Sequence, residues 1–182
     1  MSPLALRRRL GWPAIVIILL VAVAVLLFVF ERRTTAQAAD YRSARVGAVT
    51  RDGLIADQSA RTAAQRAAVA DTTTLLSYNA ATLDRDFAKG KAVTTGQFAK
   101  DYAQQFTTFV KPTAAQYTVS VIANVVNSAV ESNSPDTAVV LLFVDQTTKS
   151  IKLPAPRVDQ NRVKLTMSRV HGTWLISSVA AL

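Results

Sequence analysis

"QNRVKLTMSRVHGTWLISSV", residues 160–179, decides the fold. Val163, Leu165 and Met167 alternate with Arg162, Lys164, Thr166 and Ser168. That is the two-residue period of a strand with one buried face. "TWLISSV" (173–179) reads as the return strand. Between them stand His171, the only histidine of the chain, and Gly172. A two-residue loop ending in glycine is the expected hairpin turn, and histidine visits positive φ more readily than most residues. Gly172 is there for backbone geometry, and Trp174 opens the return strand and packs on the sheet.

Working backwards from this hairpin, "LPAPR" (153–157) is a loop whose prolines interrupt pairing. "TAVVLLFVDQTT" (137–148) is apolar on both faces through Val144, which predicts a central, covered strand. "SNSPD" (132–136) is a turn. From Tyr117 the period is again two, with Tyr117, Val119, Val121, Ala123 and Val125 set against Thr118, Ser120, Ile122 and Asn124. Before Tyr117 the patterning is helical. The Ala-rich stretch after Gln58 predicts a first helix running to about Tyr78. Thr82 is the N-cap of a second, with Asp84 and Asp86 in its first turn and Lys89 and Lys91 near its end. Phe98, Tyr102, Phe106 and Phe109 form an aromatic stripe along a third, which Pro112 ends or kinks. Helices followed by strands give an α+β domain, with helices packed on one face of a curved antiparallel sheet.

The N-terminal end is different in kind. "AIVIILLVAVAVLLFVF" (14–30) is an uninterrupted apolar run; with Trp12 and Pro13 it is long enough for the hydrocarbon core of a bilayer, and arginines flank it on both sides. A cleaved signal peptide is the rival, with "AQA" (36–38) as its cleavage motif. The run is long for a signal, however, and "ERR" separates it from that motif. The expected organisation is a cytoplasmic tail (1–11), a transmembrane anchor (12–30), a juxtamembrane helical connector (31–58) and an extracytoplasmic domain (59–182), single-pass in the plasma membrane. Arginines on both sides make the charge rule for orientation weak.

The net charge of +9 raises the question of nucleic acid. Five arginines and one Glu lie in residues 1–33, at the membrane flanks, and the remaining positive charge is dispersed without interleaved aromatics. No nucleic-acid partner is expected. Cysteine is absent, which suits an exported domain without disulfides. There is no Gly-rich phosphate loop, no nucleophile elbow and no set of His and Cys residues for a metal, so no cofactor, metal or catalytic residue is assigned. Asp84 and Asp86 point in different directions on a helix, and the helix dipole accounts for them.

Three stretches carry a family resemblance: "TLLSYNAATLDRDFAKGKAVTTGQFAKDY" (74–102), "VVLLFVDQTT" (139–148) and "LPAPRVDQNRVKLTMSRVHGTWLISSV" (153–179). Together they resemble the Mce-associated membrane proteins, accessory proteins of actinobacterial Mce (mammalian cell entry) lipid-import systems. The resemblance covers about residues 60–182, and the anchor and connector match in layout only. His171 departs from the Asp usual in that family, and Asp145 from its common Asn. The resemblance implies an NTF2-like domain, a cone of helices on a strongly curved sheet. The layout is similar to that of the periplasmic assembly subunit of type IV secretion systems.

Three functions are expected. The first is a non-enzymatic accessory or assembly subunit, with the bilayer, Mce proteins and their permease as partners and homo- or hetero-oligomers open. The second is a lipid- or small-molecule-binding domain using the cone cavity, lined by Tyr78, Phe98, Tyr102, Phe106, Asp145 and Trp174. The third is an NTF2-like isomerase or dehydratase with Asp145 or Tyr78 in an apolar pocket; it is to be abandoned if Asp145 faces solvent.

Overall fold

Small residues at helical spacing let the first helix lie close to a sheet. Ala64, Ala68, Thr72 and Leu75 form its buried stripe, and the Thr72 hydroxyl is satisfied locally by donating to the Ala68 carbonyl at 2.6 Å. This helix, α1, spans Arg51–Leu76. The computed structural model describes residues 51–182. The expected tail, anchor and most of the connector lie outside them. Among the described residues no helix is long and apolar enough to cross a membrane.

The chain continues through β1 (Tyr78–Asn79), a short 3-10 turn (Ala80–Thr82), α2 (Leu83–Ala92), α3 (Gly96–Gln105), a π-helical turn (Phe106–Val110) and α4 (Lys111–Tyr117). Four long strands come next: β2 (Ser120–Asn133), β3 (Thr137–Lys149), β4 (Arg157–Val170) and β5 (Thr173–Ala181). The sheet is an antiparallel meander in the order β1-β2-β3-β4-β5. The α+β class, the turn after β2 and the final hairpin match the expectations from sequence.

The helix-facing side of the sheet carries Val140, Leu142 and Val144 from β3, Val163, Leu165 and Met167 from β4, and Trp174 and Ile176 from β5, all buried. Three bulges bend the sheet and reset this alternation. One extra residue stands at Val126, one at Glu131 and one at Ser177. Each bulge reverses the parity of the strand residues beyond it. The buried positions therefore change from Val121 and Ala123 to Val130 on β2, and from Trp174 and Ile176 to Val179 on β5. Without the bulge at Ser177, Val179 would face away from the core.

Several boundaries differ from the sequence reading. The first helix is already formed at Arg51, where the described residues begin, and stops at Leu76, so Tyr78 lies in β1. The Asn79 side chain accepts from the Ala81 N–H at 2.8 Å and starts the next turn there. Tyr117 ends α4 instead of starting β2; Thr118, at φ 50°, provides a left-handed cap. Pro112 sits in the first turn of α4 and does not stop the helix. It has no N–H to donate to the preceding turn, and the residues just before it form the π turn, where the Lys111 N–H reaches back to the Phe106 carbonyl. That turn holds one residue more than an α turn, so the buried stripe runs Phe98, Tyr102, Phe106, Val110 and Ala114, while Phe109 is 48% exposed. β3 is central, as expected, but its outer face is not covered: Phe143 is 37% exposed.

The final hairpin turns through two residues of positive φ, His171 at 48° and Gly172 at 85°, as a type I′ loop requires. His171→Asn should therefore raise stability by a few tenths of a kcal/mol. Gly172→Ala should lower it by about 1 kcal/mol, since a Cβ is strained at that φ. Urea denaturation of the two variants checks the pair.

Gly90 of α2 is buried beneath Tyr102, and a Cβ there would overlap the Tyr102 hydroxyl and come within 2.9 Å of its Cζ. Alanine normally stabilises a helix interior relative to glycine by roughly 1 kcal/mol. Here Gly90→Ala should instead destabilise the fold: overpacking of about 1–3 kcal/mol offsets that gain, for a net loss of up to about 2 kcal/mol that is read as a lower melting temperature. Adding Tyr102→Phe, which removes the nearest clashing atom, should recover part of the loss.

Candidate functional site

Aromatic rings from β1, α2, α3 and the π turn pack together in the interior. Phe87 stacks on Phe106 with centroids 4.9 Å apart and on Tyr102 at 5.9 Å. Tyr78 meets Phe106 edge-on at 6.1 Å. Tyr102 packs between Phe98 and Phe106 at 6.5 and 5.8 Å. Contacts of this kind add about 0.5–1.5 kcal/mol each beyond the area they bury. Four of the six residues expected to line a cavity (Tyr78, Phe98, Tyr102 and Phe106) are thus brought together, and they pack on one another. Trp174 is buried on the helix-facing side of β5. Asp145 does not join them. Val144 points into the core, so Asp145 points to the opposite face, beside Asn124 and Gln160 in the register. Asp145 and Tyr78 therefore share no pocket. Phe87 was missed by the sequence reading; it lies four residues after buried Leu83, a spacing that marks the inner side of α2.

Beside the ring pile an open groove of about 460 Å³ runs between the end of α1, β1, the start of α2 and the start of β2. Thr74, Ser77, Tyr78, Thr82, Arg85 and Asp86 are among its lining residues. At its centre the Asp86 carboxylate accepts from the Thr82 hydroxyl at 2.6 Å, the Asn79 N–H at 3.1 Å and Arg85 Nε at 3.3 Å. Desolvation pushes this carboxyl up, but those bonds and the Arg85 charge outweigh it and hold the group below the ordinary carboxylate range. Burial pushes the Tyr78 phenol up to about 12. Burial, then the Asp86 charge and Tyr78, raise Tyr102 further. Near neutral pH the two phenols keep their protons and Asp86 is an engaged, weakly basic anion. The groove offers fixed polar groups for binding; its carboxylate is poorly matched to general-base work. Among the described residues no three His, Cys, Asp or Glu side chains form a cluster suited to a metal.

Asp71 of α1 is the exception in charge state. Burial alone raises its carboxyl from 3.8 to about 6. The folded state thus holds this proton more tightly than the unfolded chain. The carboxyl costs nothing below the unfolded value, and stability falls as pH rises through about 6. Asp71→Asn should therefore stabilise the fold near neutral pH by on the order of 1 kcal/mol once its partial exposure is allowed for, and raise the melting temperature there. It should leave stability near pH 4 almost unchanged. Thermal melts of both proteins across that range check the sign.

No family model matches the chain. The uncharacterized protein Rv1362c of Mycobacterium tuberculosis is 42% identical over 125 residues, which cover 66% of this chain and 57% of that protein. The chain thus spans little more than half the length of that relative. The outer membrane protein Rv1973 of the same organism is 39% identical over 127 residues, covering 69% of this chain and 79% of Rv1973. In three dimensions the domain is similar to an IcmL-like type IV secretion system protein from Legionella pneumophila (TM-score 0.58, 9% identity, 67% of this chain and 91% of that one). It is also similar to CagV, a VirB8 homolog of the Helicobacter pylori type IV secretion system (TM-score 0.52, 12% identity, 66% and 96%). At these identities the two structures establish the shared α+β fold with its curved antiparallel sheet.

Proposed function

Because the chain belongs to the family of the mycobacterial outer membrane protein Rv1973, we propose that it is a non-enzymatic accessory or assembly subunit of the cell envelope. In this reading residues 12–30 anchor it as a single-pass protein of the plasma membrane. Residues 1–11 are cytoplasmic, 31–58 connect, and 59–182 act outside the membrane. The observation that carries the reading is the pile of aromatic rings beneath α2 and α3. The space an NTF2-like enzyme or carrier would use for its ligand is occupied by Phe87, Tyr102, Phe106 and Tyr78 in mutual contact. Work is left to the outer surfaces, as in a protein that positions other proteins. The fold supports the same class, since it is shared with type IV secretion system proteins.

The system served is an Mce-type lipid importer, with Mce proteins and their permease as partners. This finer assignment rests on the family resemblance of the three sequence stretches. The second reading, binding of a lipid or small molecule, moves from the interior to the open groove beside Tyr78 and Asp86, which is wide enough for a small polar ligand.

Affinity purification of the full chain from native membranes tests the assignment. Mce proteins and the permease should co-purify, and deletion should reduce lipid uptake. If neither partner co-purifies and uptake is unchanged, the Mce assignment is wrong. A small molecule recovered from the purified protein by mass spectrometry, and lost with Arg85→Ala, would favour the second reading.

A further inference from the structure

The outer face of the sheet, turned away from the helices, exposes large apolar side chains among polar ones. Phe143 stands at its centre on β3 and is 37% exposed; Ile122 and Val158 are more exposed, at 58% and 57%. Both of these flank Thr147 in the register. Two opposite charges sit beside Phe143. Asp145 lies two residues along the same strand, on the same face, and Arg162 is the direct cross-strand neighbour of Phe143 on β4. Among the described residues neither side chain has an ion pair or a side-chain hydrogen bond, although four other ion pairs form. Asn124, Asn127 and Gln160 complete a polar surround.

This arrangement is self-complementary. A two-fold axis lying in the plane of the face and passing over Phe143 sets Asp145 of one copy opposite Arg162 of the other, twice over. It also stacks Phe143 on its own counterpart. An isologous contact needs this property, in which residue i meets j and j meets i. We propose that the outer face of the sheet is the interface with a second copy of this chain, centred on Phe143 and held in register by reciprocal Asp145–Arg162 pairs.

The chain contains no cysteine, so Gln160→Cys gives it a single thiol, beside the inferred axis. Stacked sheets lie about 10 Å apart, within reach of a short bis-maleimide. In native membranes this variant should give a covalent dimer, and Gln104→Cys on the exposed side of α3 should give only background. Adding Asp145→Arg or Arg162→Asp to Gln160→Cys brings like charges together and should cut the dimer by about tenfold or more. Combining the two charge changes should restore it. Recovery in that triple variant excludes misfolding as the cause of the single losses. The inference is overturned if Gln160→Cys cross-links no better than Gln104→Cys, as it would if a different protein or the lipid surface covers this face. It is also overturned if the dimer is indifferent to the single charge changes, or if the combined swap fails to restore it.

Discussion

The domain depends on how α1 closes the outer edge of β2. β2 is fourteen residues long, yet β1 pairs with only two of them. A long unpaired edge would expose a row of backbone donors and acceptors. Side chains of α1 and of the residue just past its end take the place of a neighbouring strand. Arg61 donates to the Val130 carbonyl at 3.1 Å. Gln65 donates to the Ser128 carbonyl at 3.1 Å and to its hydroxyl at 3.0 Å. The Ser77 hydroxyl accepts from the Ala123 N–H at 3.0 Å. Arg61 and Gln65 are one helical turn apart, so a single face of α1 reaches the strand. The small residues Ala64 and Ala68 bring it near enough to do so. Each bond contributes about 1 kcal/mol net, and more would be lost by leaving a buried carbonyl unmatched. With α1 fixed along β2, the groove at its end and the ring pile beneath it have one geometry.

The features legible in the sequence were those whose period survives in the structure. Val163, Leu165 and Met167 alternate without interruption, so the β4 strand and the hairpin after it could be read directly, including the His171–Gly172 turn. Phe98, Tyr102 and Phe106 hold helical spacing and are buried together. The reading failed where one residue is inserted into a regular element. The π turn moves the buried stripe from Phe109 to Val110, and the bulge at Val126 moves it from odd to even positions on β2. Such insertions leave little local signal, because they are selected by the groups that pack above them. Pro112 marked the place of the π turn but not its form.

The candidate site was legible in its parts and not in its purpose. Four of the six expected lining residues do meet, yet contact between rings and the lining of a cavity are indistinguishable in a helical pattern. The difference was made by Phe87, which comes from another helix, and by Gly90, which lets Tyr102 close over α2. Asp145 failed for a simpler reason. A strand that is apolar on both faces gives no way to tell which parity is inside. The residues of its other face, Val139, Leu141 and Phe143, are as apolar as those of the core.

That second apolar face links fold to function. A single antiparallel sheet covered by helices on one side normally shows water a polar surface on the other. Here the surface opposite the helices carries an aromatic centre with an uncommitted acid and base beside it. The inner rings pack on one another, and the groove carboxylate is already engaged by three donors. Both are engaged within the fold, whereas the outer face of the sheet exposes apolar surface at Phe143, Ile122 and Val158. With a second copy on that face, as proposed, the helical side stays free for a different partner, and Ile122 carries the interface up to the rim of the groove.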